Sequence, residues 1–169
     1  MEEAIVNRVE KSGVVQLDLG QWYTHPKKQV VRIMDWVHPD PILREKPFRE
    51  ALAATDWEKY REVWVAVEGT EDSIIPTWAF MLLAKYLADV DSRVVFGSRV
   101  ELEMNIWKEI FNQMDWKDYQ DKKVIVKGCG SLFIPEGVYA DLTARLMPCV
   151  RSLMFGEPCS TVPVYKKRG

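Results

Sequence analysis

The chain has 169 residues, 47% hydrophobic, 11% aromatic and 28% charged, the balance of an ordinary globular protein and not of a disordered, collagenous or fibrous one. Twenty-three basic against 25 acidic residues leave a net charge of -2, which supplies no polycationic footprint for nucleic acid or anionic lipid. The longest nearly unbroken apolar stretch, Ile74 to Ala84, ends at Lys85, well short of the roughly 20 residues that cross a bilayer.

No nucleic-acid or membrane partner is therefore expected. Three cysteines, an odd number, and an N-terminus that opens Met1-Glu2-Glu3 without a basic or apolar leader point to a reducing, cytoplasmic setting. A chain of this size buries about 70% of its unfolded surface and needs no disulfide or structural metal for a core. One domain over 1–169 is the expectation.

Val14 to Leu19 and Gln29 to Val37 alternate as two strands joined through a turn at Thr24-His25-Pro26, and should extend or cover a sheet. Residues 1–46 thus form an N-terminal β extension. His38-Pro39-Asp40-Pro41 reads as a loop, and Pro47 as the start of a helix. Beyond Pro47 the chain repeats itself. Sliding it by 59 residues places Asp56-Trp57-x-x-Tyr60 on Asp115-Trp116-x-x-Tyr119 and Ile75-Pro76 on Ile134-Pro135, with 13 identities over the 50 positions 48–97 against 107–156. Random identity of about 6% would give roughly three. The sequence therefore reads as a duplicated α-β-α-β unit, one copy in 47–97 and one in 106–156, with a tail over 157–169.

Within each copy, Arg61–Glu68 and Lys122–Lys127 are β-branched runs closed by Gly, as in buried parallel strands. Pro76 and Pro135 stand at helix starts. The helix near 76–88 is apolar almost all round and should be largely buried. A strand at Arg93–Phe96 leads to a surface helix over 99–113, with Val100, Met104, Trp107, Phe111 and Met114 inward and Glu101, Glu103, Lys108 and Glu109 outward. The fold class is α/β, a mostly parallel sheet with helices on both faces. The simplest order for two βαβ halves is 2-1-3-4, counting strands near 63–68, 93–97, 123–128 and 152–155. It puts the first and third side by side, with loops 69–75 and 128–134 lining a crevice at a topological switch point.

Cys129, after the strand-ending Gly128, and Cys159, after the last strand, are the candidate catalytic thiols. They should emerge from adjacent strand ends, where a helix N-terminus would favour a thiolate at Cys129. Asp72, Ser131 and Glu157 are candidate ligand-binding residues, with Asp72 or Ser73 also suited to cap a helix. Cys149 reads as packing, and His25 and His38 as solvated turn residues. Three cysteines and two histidines without CxxC or HExxH spacing make no closed zinc site, and an ordinary iron–sulfur cluster would need ligands shared by a dimer. Cofactor and metal stay undetermined.

Ile42-Leu43-Arg44-Glu45-Lys46-Pro47-Phe48-Arg49-Glu50, Ile74-Ile75-Pro76-Thr77-Trp78-Ala79-Phe80-Met81-Leu82-Leu83, Lys127-Gly128-Cys129 and Met154-Phe155-Gly156-Glu157-Pro158-Cys159-Ser160-Thr161-Val162-Pro163 resemble, nearly end to end, a bacterial family catalogued as domain of unknown function 2480. Pro47 departs from the acid expected there. Members are often encoded near sulfur-mobilisation genes, so the resemblance implies an accessory role in iron–sulfur assembly, with protein partners from that process and with Cys129 and Cys159 at the matching positions. Two readings result: an accessory factor in iron–sulfur or thiol-sulfur handling, or a non-catalytic ligand-binding or interaction module, open to homodimerisation, with structural cysteines. A cysteine hydrolase lacks an evident base, since neither histidine is near Cys129 in sequence.

Overall fold

The structure is a computed structural model that describes residues 13–37, 42–69, 74–128, 130–157 and 159–168. The chain is α/β, with four α-helices among the described residues and mostly parallel strands, and it divides into two compact units, residues 24–106 and the two segments up to Tyr23 and from Trp107.

In the 24–106 unit, β2 (Lys28–Arg32), β3 (Trp64–Glu68) and β4 (Arg93–Phe96) form a parallel sheet in that order. Helix α1 (Glu45–Ala53) precedes β3 and α2 (Thr77–Ala88) joins β3 to β4. Val65, Ala66 and Val67 of β3 are fully buried, as a central parallel strand covered on both faces requires. Phe48 and Leu52 of α1, and Ala79, Leu83 and Leu87 of α2, are buried at helical spacing. Pro47 lies in the first turn of α1, two residues after its start at Glu45. Contrary to the sequence expectation, α2 is buried on one face only: Met81 is 69% exposed.

The other unit is also built on a mostly parallel sheet, with one strand more. Strands β1 (Val14–Leu17), β5 (Lys123–Val126) and β6 (Ser152–Glu157) are parallel, and β7 (Ser160–Lys166) adds an antiparallel edge, giving the order β1-β5-β6-β7. Helix α4 (Glu136–Leu146) joins β5 to β6, while α3 (Arg99–Asn112) runs from β4 toward β5. Strand β7 occupies what the sequence suggested was a tail. Its Pro163 sits at the register shift opposite Met154, on an edge where a missing N–H leaves no ladder bond unmade.

The 2-1-3-4 order is not formed. Strand β3 is flanked by β2 and β4, and β5 by β1 and β6. The two N-terminal strands take the hydrogen-bonding edges through which β3 and β5 would have paired, so loops 69–75 and 128–134 come after strands of different sheets. Residues 33–36 form a 3-10 turn and not the end of a strand.

Elements recur at the 59-residue offset: α1 with the end of α3, β3 with β5, α2 with α4, β4 with β6. A shorter correspondence, at offset 14, relates β1 to β2. Leu17 and Leu19 match Val31 and Ile33, all buried, and Trp22 matches Trp36. Trp36 stacks on Trp57 at 5.7 Å, and Trp22 meets Trp116, the counterpart of Trp57, edge-on at 6.5 Å. The two Asp-Trp-x-x-Tyr motifs lie at 3-10 turns; Trp57 contacts Tyr60 at 5.8 Å and Trp116 contacts Tyr119 at 6.3 Å.

Helix α3 also departs from its expected faces. Leu102, Glu103, Ile106, Trp107 and Phe111 are buried, whereas Val100 is 45% exposed. Glu103 turns inward because Lys28 Nζ donates to its carboxylate at 2.6 Å. The start of α3 is closed by a capping box: Val100 N–H donates to Ser98 Oγ, and Ser98 N–H to Glu101 Oε2. No helix among the described residues is long and apolar enough to cross a membrane.

Candidate functional site

The carboxyl ends of β5 and β6 hold most of the predicted residues. Val126 lies opposite Phe155 in the parallel register, so Gly128 and Glu157 leave the sheet from neighbouring strands. The Phe155 ring rests on Gly128: a Cβ at position 128 would stand 2.6 Å from Phe155 Cζ, closer than any side chain tolerates. Tyr139 of α4 meets the same ring edge-on at 5.7 Å, and burial raises the pKa of its phenol. Phe133, in the β5–α4 loop, is 49% exposed.

Strand β6 returns as β7 through a tight hairpin whose last pair is Glu157 with Ser160. Gly156 makes this turn possible. Its φ is +123°, and a Cβ there would meet Ser160 O at 2.4 Å. Cys159 is exposed at the hairpin tip, Ser131 is exposed and Glu157 half-buried. Lys127, just after β5, pairs with Asp18, just after β1, at 3.4 Å, adding two opposite charges at this end.

Cys129 and Asp72 lie outside the described residues, as does His38. Asp72 belongs by sequence to the loop after β3, in the other sheet, so the single crevice that joined it to Ser131 has no adjacent strands to build it. The helix-terminus argument for a reactive Cys129 weakens as well: α4 does not begin until Glu136, and the dipole acts within a helix's first turn. Cys149 is half-buried, its Sγ 4.0 Å from Arg145 O, and its carbonyl accepts from Asp121 N–H at 2.8 Å. His25 is exposed with φ 51°. Among the described residues no group of three or more His, Cys, Asp or Glu could hold a metal.

The other unit carries corresponding aromatic positions. Phe80 and Phe96, the counterparts of Tyr139 and Phe155, pack edge-on at 5.1 Å, Phe96 is 44% exposed, and Ile74, the counterpart of Phe133, is 95% exposed. Sequence reasoning missed these matched aromatic caps because only Phe96 and Phe155 are identical.

A protein-family model described as "Protein of unknown function (DUF2480)" matches residues 3–167. The chain belongs to this family. DUF2480 membership spans both units and both strand-end caps, and agrees with the resemblance carried by the four motifs. No curated protein and no solved structure matches the chain.

Proposed function

We propose that this DUF2480 protein is an accessory factor in thiol-sulfur or iron–sulfur handling, acting through Cys129 and Cys159 beyond the carboxyl ends of β5 and β6, with Ser131 and Glu157 flanking them. One observation supports the reading: the strands that deliver the two cysteines are adjacent and parallel, and Cys159 is exposed at the turn. A thiolate here would attack the terminal sulfur of a donor persulfide, forming Cys–S–S⁻ and releasing the donor thiolate with no net oxidation. The same thiols could instead ligate a metal. The scaffold reads as two copies of one unit, and only the second carries the thiols: Thr70 stands in the first copy where Cys129 stands in the second.

Native-state alkylation followed by mass spectrometry tests it. Cys129 and Cys159 should label well before Cys149 and form a mutual disulfide on mild oxidation, and protein purified without oxygen should carry iron, zinc or sulfane sulfur that Cys129→Ser abolishes. Cys149 labelling first, together with no bound sulfur or metal, overturns the reading.

The second reading, a non-catalytic binding module, rests on the exposed aromatic caps at Phe96 and Phe155. It predicts that Phe155→Ser removes partner binding while Cys159→Ser does not.

A further inference from the structure

At the amino ends of β5 and β6, opposite the end that carries Cys159, the protein has a cleft of about 540 Å³. Lys123 and Ser152 face each other across the parallel pair, and Lys166 is paired with Ser152 from β7. Arg151 and Arg168 complete the cationic wall. The single carboxylate in the lining, Asp121, is held by Lys167 Nζ at 3.2 Å and also feels the charge of Arg151. Among the described residues, Lys123, Arg151, Lys166 and Arg168 form no ion pair within 4.0 Å and the Ser152 hydroxyl has no hydrogen-bond partner.

The other unit shows that the scaffold does not require this charge. Glu62 stands where Asp121 does, with the same left-handed backbone (φ 57° and 55°), and each N–H donates to the equivalent carbonyl, Val90 O at 3.3 Å and Cys149 O at 2.8 Å. Yet Lys123 is replaced there by Trp64, and Arg151 by Ser92. Arg93, in place of Ser152, lies over the Trp64 ring at 5.2 Å. Among the described residues the three-stranded sheet also has no strand equivalent to β7. One fold thus builds a corner with its arginine stacked on a ring and another with five cations against one aspartate around a cleft, in a chain whose net charge is -2.

Four like charges around one cleft repel each other at rest, and an anion of matching charge removes that cost. Arginine supplies a planar fork for phosphate oxygens, lysine a mobile point charge. A phosphate group carries about -1.5 to -2 at neutral pH, so four cations match two or three linked phosphates better than one. We propose that this cleft binds a polyphosphate anion, either pyrophosphate itself or the polyphosphate tail of a nucleotide, held by Lys123, Arg151, Lys166 and Arg168 with Ser152 donating a hydrogen bond. The site is independent of the thiol reading, since it lies at the other end of the strands.

Isothermal titration of the full chain in low-chloride buffer, at matched ionic strength, with pyrophosphate, adenosine triphosphate and orthophosphate tests it. One saturable site for pyrophosphate or the triphosphate is expected, at least tenfold tighter than for orthophosphate. Arg151→Gln and Lys166→Gln, both exposed residues, should each weaken it about tenfold to a hundredfold without lowering the melting temperature. Affinity for the nucleoside triphosphate equal to that for inorganic tripolyphosphate, titrated alongside, assigns the site to the phosphates alone; a nucleoside triphosphate tighter than tripolyphosphate assigns it to a nucleotide. Failure of both to bind at millimolar concentration, unchanged binding in both variants, or equal binding of orthophosphate overturns the proposal.

Discussion

Replacing Lys28 with methionine tests how the 24–106 unit tolerates a charge in its interior. The side chain of Glu103 is 2% exposed and that of Lys28 is 26% exposed, with 2.6 Å between Nζ and Oε1. Removing one partner of a buried pair costs roughly 3–5 kcal/mol, because the remaining charge stays desolvated. Water reaches Lys28, which places Lys28→Met at the lower end, about 3 kcal/mol. With a urea m-value of about 2 kcal/mol/M, that is a midpoint shift of about 1.5 M. Lys28→Met with Glu103→Leu removes both charges and should return the midpoint to within about 0.5 M of the parent, since an apolar replacement of a buried pair is often neutral. The cycle then gives a coupling of at least about 2 kcal/mol. A Lys28→Met midpoint within 0.3 M of the parent, about 0.6 kcal/mol, would refute the argument that Glu103 depends on its ammonium partner.

Trp107 is 1% exposed and its Nε1–H has no acceptor among the described residues, so Trp107→Phe removes an unsatisfied donor along with some ring contact. It should cost less than about 1.5 kcal/mol in denaturant unfolding, against about 3–5 for Trp107→Ala. Ser98→Ala removes one half of the box that starts α3 and should lower stability by about 1 kcal/mol, with amide exchange accelerating first in the opening turn. Hydrogen bonds from Gln120 and then Lys167 lower the pKa of Asp121 below its ordinary value. Its contribution to stability is therefore full above the unfolded carboxylate pKa and is lost as pH falls through the lower folded one. An NMR titration should show Asp121 protonating below the ordinary aspartate range, and Lys167→Gln should move its midpoint upward.

Local pattern made much of the fold legible. Pro76 and the apolar run after it place α2 within one residue, and the two β-branched runs locate β3 and β5. What local pattern could not decide was which strands pair. The order of parallel strands depends on hydrogen-bonding edges contributed from far along the chain, and β1 and β2 captured those edges. Strand β7 was hidden by Pro163, which argues against a central strand but suits an edge with a register shift. Glu103 was assigned to solvent because charge alone was weighed, without the lysine at the start of β2 that pairs with it. At the candidate site, the adjacency of β5 and β6 came from the βαβ pattern. The shared crevice failed with the sheet order, and the cationic corner stayed invisible because it is assembled from β5, β6 and the segment taken for a tail.

The pairing of β1 with β5 also sets an order of events during synthesis. Val14 must find Lys123, whereas Lys28 needs only to reach Trp64. By the logarithmic law of loop closure the longer span costs only about 1 kcal/mol more, but the delay is large in time. A growing chain can complete its three-stranded sheet while the partner of its first strand has yet to be translated. Until then that strand is an open template with buried-type residues such as Leu17 and no sheet to join.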